Sequence, residues 1–443
     1  MRYTKYMGDV FKALFGVVAV PVLLVGGFLI FSLATRIVDI DITPVLAIVI
    51  ALTPIWLPLL LFFLAHQFWM KYVRGAFALD NGRVTLRIKL PQEVFKSPQA
   101  MESVIAQIHN PNGPDNPYQG WVDGKHPLIF SFELVSIGGE VRFYVNVPKK
   151  KTKNAIEAQL YAQYPGVEVV EEIIEYTAEI PWDPEKYEYL AFRMNKKEDQ
   201  EFPIKTYVDC GLDKMPKEEE KIEPMAPMLE QLAMVQRHER VWIQILARPH
   251  AQKGFKHGEL KETRTWESKV QAKIDKMLGR ESGKTTGPAE FEEQPRLTPG
   301  ERDRIAAMER NACKYAYETA IRWIYITEAG KFNGDFIGPM IRTFAEYDII
   351  GRNGIAPRWR TDFDYNLFQD PSGKRKLRMK QQELEAYKLR EYKNETDADK
   401  PKIFTCEELA TMYHLPGRSV VTPGLSRITS ARSEAPANLP TEQ

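Results

Sequence analysis

The stretch with the clearest chemical look is Gly279-Arg280-Glu281-Ser282-Gly283-Lys284-Thr285. A glycine loop ending in Lys-Thr can cradle phosphate, because backbone N–H groups and the lysine ammonium converge on the anion. A phosphate loop of this kind needs four residues between its glycines, and only three stand here. It also leaves a buried strand and opens a helix, whereas this stretch follows a charged segment and runs into Gly287-Pro288. The expectation is a mobile connection that binds no nucleotide.

Other reactive residues are scattered. The seven histidines show no metal-ligand spacing: His250 and His257 flank a Gly-Lys stretch, and His238 precedes Glu239. Cys210, Cys313 and Cys406 are far apart and form no CxxC pair, which predicts reduced thiols and neither a disulfide framework nor a zinc site. Glu218, Glu219 and Glu220 sit in a charge run and read as solvated surface. No nucleophile stands in a recognisable catalytic turn. The prediction is a non-enzyme without catalytic residues, cofactor or metal.

One cluster is suited to binding. Lys374, Arg375, Lys376, Arg378 and Lys380 follow Arg358, Trp359 and Arg360. Grouped cations neutralise phosphates and release counterions. Nucleic acid, anionic lipid and a solvated helix face balanced by Glu383 and Glu385 all remain open as readings.

These residues need a scaffold. The chain has 443 residues, 44% hydrophobic and 27% charged, with a net charge of +1. That composition folds, and it excludes a wholly basic nucleic-acid binder. Ala13–Thr35 and Ile42–Met70 contain no charged side chain, and about 20 apolar residues cross a bilayer. The short link Arg36–Asp41 makes the pair a hairpin over residues 1–75. Arg2, Lys5 and Lys12 precede it and Lys71, Arg74, Arg83 and Arg87 follow it, so both termini and the soluble part are expected in the cytoplasm, with the chain two-pass in the cell membrane.

The rest predicts an α+β fold. Val84, Leu86, Ile88 and Leu90 alternate with polar residues, as a half-buried strand does. Met101, Val104, Ile105 and Ile108 have helical spacing. Leu128–Leu134 and Val141–Val147 alternate around Gly138-Gly139, a hairpin turn. A helix with Ile156, Leu160 and Tyr164 and a strand with Val167 and Val169 complete β-α-β-β-α-β, a ferredoxin-like unit over residues 80–175. A second such unit is expected over 185–370. Its strands are Ile204–Asp209, Arg240–Ala247 and Ala320–Thr327, its helices lie near Met228–Val235 and Ile337–Phe344, and a helical insertion spans about 258–312. Thr298-Pro299-Gly300-Glu301 is a helix-start signal inside that insertion. A charged helix follows at 371–400, and the segment 401–443 ends in a Ser- and Pro-rich tail expected to be disordered.

Several stretches resemble the membrane-anchored N-terminal region of ATPases of the conjugation and type IV secretion type. The most specific is Ser131–Val145 followed by Ala155–Pro165, and Val241–Pro249, Leu297–Glu301 and Glu407–Gly417 support it. In that family a motor domain with nucleotide motifs commonly follows. The resemblance implies a membrane-proximal module whose motor is encoded separately or has been lost, since the chain ends at Gln443. It further implies a P-loop ATPase as partner and a docking element at Leu409, Tyr413, His414 and Pro416, for which core packing is the competing reading. The protein is then expected to be a non-catalytic subunit of a DNA- or protein-transfer machine, with self-association a further expectation. A membrane scaffold for envelope organisation, with no transfer role, stays open as the alternative.

Overall fold

The computed structural model describes residues 47, 50–91, 96–111, 113–214, 223–278, 297–362, 370, 372–393, 397–417, 422, 424, 425 and 427. Chain contacts divide the protein into two units, Met1–Tyr72 and Val73–Gln443. Helix α1 (Thr53–Asn81) begins in the first. The uncharged run drives it: Ile55, Leu59, Phe62 and Phe63 lie exposed on its surface, and a helix satisfies its own backbone where no water can. Among the described residues this one helix is long and apolar enough to cross a membrane. It does not stop at Met70 but continues through Lys71 and Arg74 to Asn81. The other expected span, Ala13–Thr35, and the link after it lie outside the described residues.

The second unit is mixed α+β and is built on one antiparallel sheet of nine strands. The strands are β1 (Arg83–Lys89), β2 (Phe130–Ile137), β3 (Glu140–Pro148), β4 (Glu168–Glu171), β5 (Tyr187–Lys196), β6 (Glu239–Pro249), β7 (Ala316–Glu328), β8 (Ile355–Arg360) and β9 (Lys402–Thr405). Their order is β4-β1-β3-β2-β6-β7-β5-β8, with β9 paired to β7. The helices are α2 (Pro98–Gln107), α3 (Pro117–Trp121), α4 (Lys149–Gln163), α5 (Ala226–Ala233), α6 (Trp266–Met277), α7 (Pro299–Ala312), α8 (Ile337–Arg342), α9 (Lys374–Leu389) and α10 (Cys406–Met412). At the β2–β3 hairpin Gly138 and Gly139 have φ of +58° and +90°, a left-handed pair that glycine adopts without steric cost.

The sheet has two different faces. Val84 and Leu86 of β1, Phe132 and Leu134 of β2, Phe143 and Val145 of β3, and Trp323 of β7 form a continuous apolar core with α2, α4, α5 and α10. The opposite face of the central strands is also buried, although it carries Glu133, Gln244, Arg193 and Arg322. With both faces covered, β2 is buried along almost its whole length, so its alternation is one of polarity and not of exposure.

One expected strand is absent. Ile204 and Tyr207 are buried, but the Ile204–Asp209 backbone is irregular. The N–H groups of Ile204 and Tyr207 donate to side chains instead of a ladder, Ile204 to Glu408 Oε1 at 3.0 Å and Tyr207 to Thr411 Oγ1 at 3.0 Å, and that of Lys205 donates to the Tyr347 carbonyl at 2.9 Å. The strand at that place in the order is β5, which lies earlier in the chain. Helix α7 opens as its sequence signal predicts. Thr298 Oγ1 accepts from the Glu301 N–H at 3.3 Å, and Glu301 accepts from the Thr298 N–H at 2.8 Å. Trp266, Val270 and Ile274 of α6 pack on Ile305 and Met308 of α7.

The segment after β9 belongs to the apolar core. The Tyr413 ring lies 5.2 Å from Phe132 and 5.8 Å from Phe143, and its hydroxyl donates to the Tyr144 carbonyl at 3.0 Å. Phe132→Ala and Tyr413→Ala are each expected to cost about 3–5 kcal/mol of stability. The measurement is the denaturation midpoint of the solubilised protein, with the slope of the transition unchanged.

Candidate functional site: a basic helix end held by buried ion pairs

A row of polar side chains crosses the sheet in register. Glu133 pairs with Gln244, Gln244 with Arg322, and Arg322 with Arg193. All four are buried. Directly opposed like charges destabilise a sheet, and an uncompensated buried charge costs several kcal/mol. The arginine pair therefore requires acids above it. Helix α9 supplies Glu383, 2.6 Å from Arg193 Nη2 and 3.4 Å from Arg322 Nη1. Asp399 pairs with Arg193 as well. The Arg193 guanidinium also stacks on Trp359, 3.8 Å from the ring centre, which satisfies the flat face of the cation.

The glutamate end of the row is closed by Arg390. Its Nε donates to Glu133 Oε1 at 2.9 Å, and its Nη1 lies 3.1 Å from Glu175 Oε2. Ser131, Tyr176 and Gln244 donate to the same Glu133 carboxylate at 2.6, 2.8 and 3.0 Å. Arg390 has φ of +55°, the one positive φ among the described non-glycine residues. That conformation costs about 1–3 kcal/mol and turns the chain so that the guanidinium reaches back across the helix end. Burial raises the Glu133 carboxyl, but the Arg390 charge and the donated hydrogen bonds outweigh it and hold the pKa below the ordinary value. Glu383 is likewise raised by burial and lowered further by Arg322 and Arg193, for a net depression.

These pairs hold α9 with its C-terminal half buried and its N-terminal end outward. Glu383, Leu384, Ala386 and Tyr387 face the sheet, while Lys374, Arg375 and Arg378 are exposed. The predicted basic cluster is thus divided by the structure. Lys376 is half-buried and pairs with Asp362 at 2.6 Å. Lys380 is partly covered, and burial together with the Lys376 charge lowers its pKa. Upstream, Trp359 is buried under Arg193, and Arg358 Nη2 donates to the Lys196 and Lys197 carbonyls. The Asp370 carboxylate accepts from the Lys376 N–H at 2.9 Å and so caps the positive end of the helix dipole, beside the exposed Lys374 and Arg375. Chemically the exposed end can bind anions by charge.

The predicted docking residues lie elsewhere. Leu409, Tyr413 and His414 are almost fully inaccessible, and Pro416 is buried too. The end of α10 and the extended residues after it pack inward, so these side chains present no surface, and core packing is the reading that the geometry supports. His414 Nδ1 lies 2.8 Å from the Ala410 carbonyl, and Nε2 meets Glu223. The glycine loop Gly279–Thr285 lies outside the described residues. Among the described residues, no group of His, Cys, Asp and Glu is placed to hold a metal. The residues the sequence reading missed are Glu133, Arg193, Arg322, Arg390 and Asp399. For Glu133, Arg193 and Arg322 the signal was a charge inside an apolar strand, as Glu133 stands in Phe130–Ile137, whereas Arg390 and Asp399 lie outside the strands.

A family model described as a domain of unknown function (DUF8128) matches residues 78–347. No curated protein matches the chain, and no solved structure does. The matched span holds Glu133, Arg193 and Arg322, while α9 follows it.

Glu383→Ala removes one acid from between two buried arginines and is expected to destabilise the protein by about 3–5 kcal/mol. Lys374→Glu, Arg375→Glu and Arg378→Glu should each stay within about 0.5 kcal/mol. Because the folded-state pKa values of Glu133 and Glu383 are depressed, their contribution is present above the unfolded value of about 4.3 and is lost as pH falls through the folded values. Denaturation midpoints measured from neutral to acid pH should decline over that range, and the decline should be smaller in Glu383→Ala.

Proposed function

This chain belongs to the DUF8128 family, and from that premise we propose that it is a non-catalytic, membrane-anchored platform that positions a cytoplasmic P-loop ATPase in a transfer machine of the type IV secretion or conjugation kind. The observation that carries the anchor is α1, whose exposed side chains over Ile55–Phe63 are apolar. The charge-free run Ala13–Thr35 supports a second span and a hairpin, and the lysines and arginines flanking that hairpin support a cytoplasmic body.

The body reads as two ferredoxin-like units. In the first, the chain order β1-α2-β2-β3-α4-β4 gives the sheet order β4-β1-β3-β2. In the second, β5-α5-β6-β7-α8-β8 gives β8-β5-β7-β6, the same order read from the other edge. The units meet through their second strands, β2 and β6, from Phe130↔Ala247 to Ile137↔Arg240. The helices α6 and α7 lie between β6 and β7 and act as the insertion of the second unit.

Support for a platform comes from the destination of the titratable groups. Several buried ones close ion pairs between the sheet and the segments that cover it, as Lys196 and Glu408 do at 2.7 Å. The transfer role rests on the resemblance of Ser131–Val145 and Ala155–Pro165 to the membrane-proximal region of secretion ATPases. On this reading the body lies on the side of the membrane where a motor has ATP.

Copurification from native membranes after mild cross-linking tests the reading. A P-loop ATPase should be recovered with the wild-type protein. Repeated recovery of the intact protein without any such ATPase would contradict the transfer role and favour a scaffold of the envelope.

A further inference from the structure

The loops beside the root of α1 carry exposed aromatic and aliphatic side chains. Tyr118 and Val122 stand on and just after α3, and Phe255 and Leu260 on the loop after β6; they are 64%, 44%, 66% and 50% exposed. The two loops are locked together. The Trp121 indole N–H donates to the Phe255 carbonyl at 2.7 Å, and the two rings lie 5.2 Å apart. A Cβ at Gly120 would stand 2.0 Å from the Lys256 carbonyl oxygen, so this approach requires glycine. An exposed apolar cluster held this rigidly is not a solvated loop.

Its place in the fold identifies what covers it. Val73 and Arg74 open the second unit, just past Met70, where the uncharged run ends. Both loops are fastened to these two residues. Gly124, at φ +65°, sits where a Cβ would lie 2.3 Å from the Val73 carbonyl oxygen. Arg74 Nη2 donates to the His257 carbonyl at 3.0 Å and to Glu259 Oε1 at 2.8 Å. The sheet register agrees: β1 starts at Arg83 opposite Pro148, and β2 starts at Phe130 opposite Ala247. The chain therefore leaves α1 at the same end of the sheet as the loop that follows β6. Lys256 and Lys261 are exposed on that loop beside the aromatic residues. Aromatic rings with an apolar body, interleaved with lysines, match the bilayer interface, where rings sit at headgroup depth and cations meet lipid phosphates.

We infer that Tyr118, Trp121, Val122, Phe255 and Leu260 form a second membrane contact, in which the cytoplasmic body inserts its loops into the headgroup region of the bilayer. The contact fixes the tilt of the body, which a single helix root leaves free to pivot. The inference rests on the anchor reading of α1, and the test separates the two.

Nitroxide labels are placed singly at Tyr118, Phe255, Phe62 and Met234 of the full chain, with the exposed Cys313 and the half-buried Cys210 replaced by serine. The labelled protein is reconstituted in vesicles of phosphatidylcholine and phosphatidylglycerol. Met234 is 71% exposed and precedes β6, whose 11 residues separate it from the Phe255 loop by roughly 35 Å. The readout is the ratio of relaxation by oxygen, which concentrates in lipid, to relaxation by a water-soluble nickel chelate. The ratio at Tyr118 and Phe255 should exceed that at Met234 several-fold and fall below that at Phe62. Equal ratios at Tyr118, Phe255 and Met234, with Phe62 in lipid, overturn the second contact and leave the anchor standing. An aqueous ratio at Phe62 overturns both. Loss of collision with both reagents at Tyr118 and Phe255 means that protein covers the patch and also overturns the inference.

Discussion

Two arginines directly opposed on neighbouring buried strands set the terms for the rest of the molecule. Arg193 and Arg322 share a register position, and neither can be withdrawn from water without an acid above it. Glu383 and Asp399 answer that need from two separate stretches of the chain. Glu133 makes the converse demand two strands away from Arg322, and Arg390 answers it. Charge therefore selects where α9 docks, and the docking covers the sheet's second face. What the fold gains is placement of one element in one orientation. A purely apolar face would have buried a helix as well, with less to say about its register.

The same economy bears on function. Among the described residues, two sets of side chains reach the surface in groups. The exposed cations of α9 gather at its N-terminal end. The aromatic loops gather where α1 enters the body. Each set sits on rigid structure: the first on the buried ion pairs, the second on Gly120 and Gly124 where no side chain would fit. The platform we propose, which presents surfaces in fixed directions to a membrane and to a protein partner, would draw on that rigidity.

Much of the fold was legible from periodicity. Val84, Leu86 and Ile88 and the hairpin at Gly138-Gly139 lie where alternation and turn chemistry place them, and Thr298 and Glu301 form the capping box their spacing predicts. Periodicity failed where both faces are covered. In β5 the run Tyr187–Lys196 is buried except at Glu188, so Arg193 and Lys196 broke the alternation without marking an exposed side. Ile204 and Tyr207 gave the opposite error: their apolar spacing resembles a strand, but Glu408 and Thr411 satisfy the backbone from about 200 residues away. The binding residues were legible only in part. Clustering revealed Lys374 to Lys380, yet only long-range pairing decides which of them face solvent. The partners of Glu133 and Arg193 lie too far along the chain for spacing to reveal them. Leu409–Pro416 shows the limit most plainly, since an inward-packed segment and an outward docking motif share one local pattern.

The central claim is that ion pairs across the covered face hold α9 to the sheet. A double-mutant cycle between Glu133→Gln and Arg390→Met, measured by denaturation of the solubilised protein, tests it most directly. The account predicts a coupling of about 1.5 kcal/mol or more, in the range seen for close, buried charge pairs. Additive effects, within about 0.5 kcal/mol, would contradict it at the Arg390 end of α9.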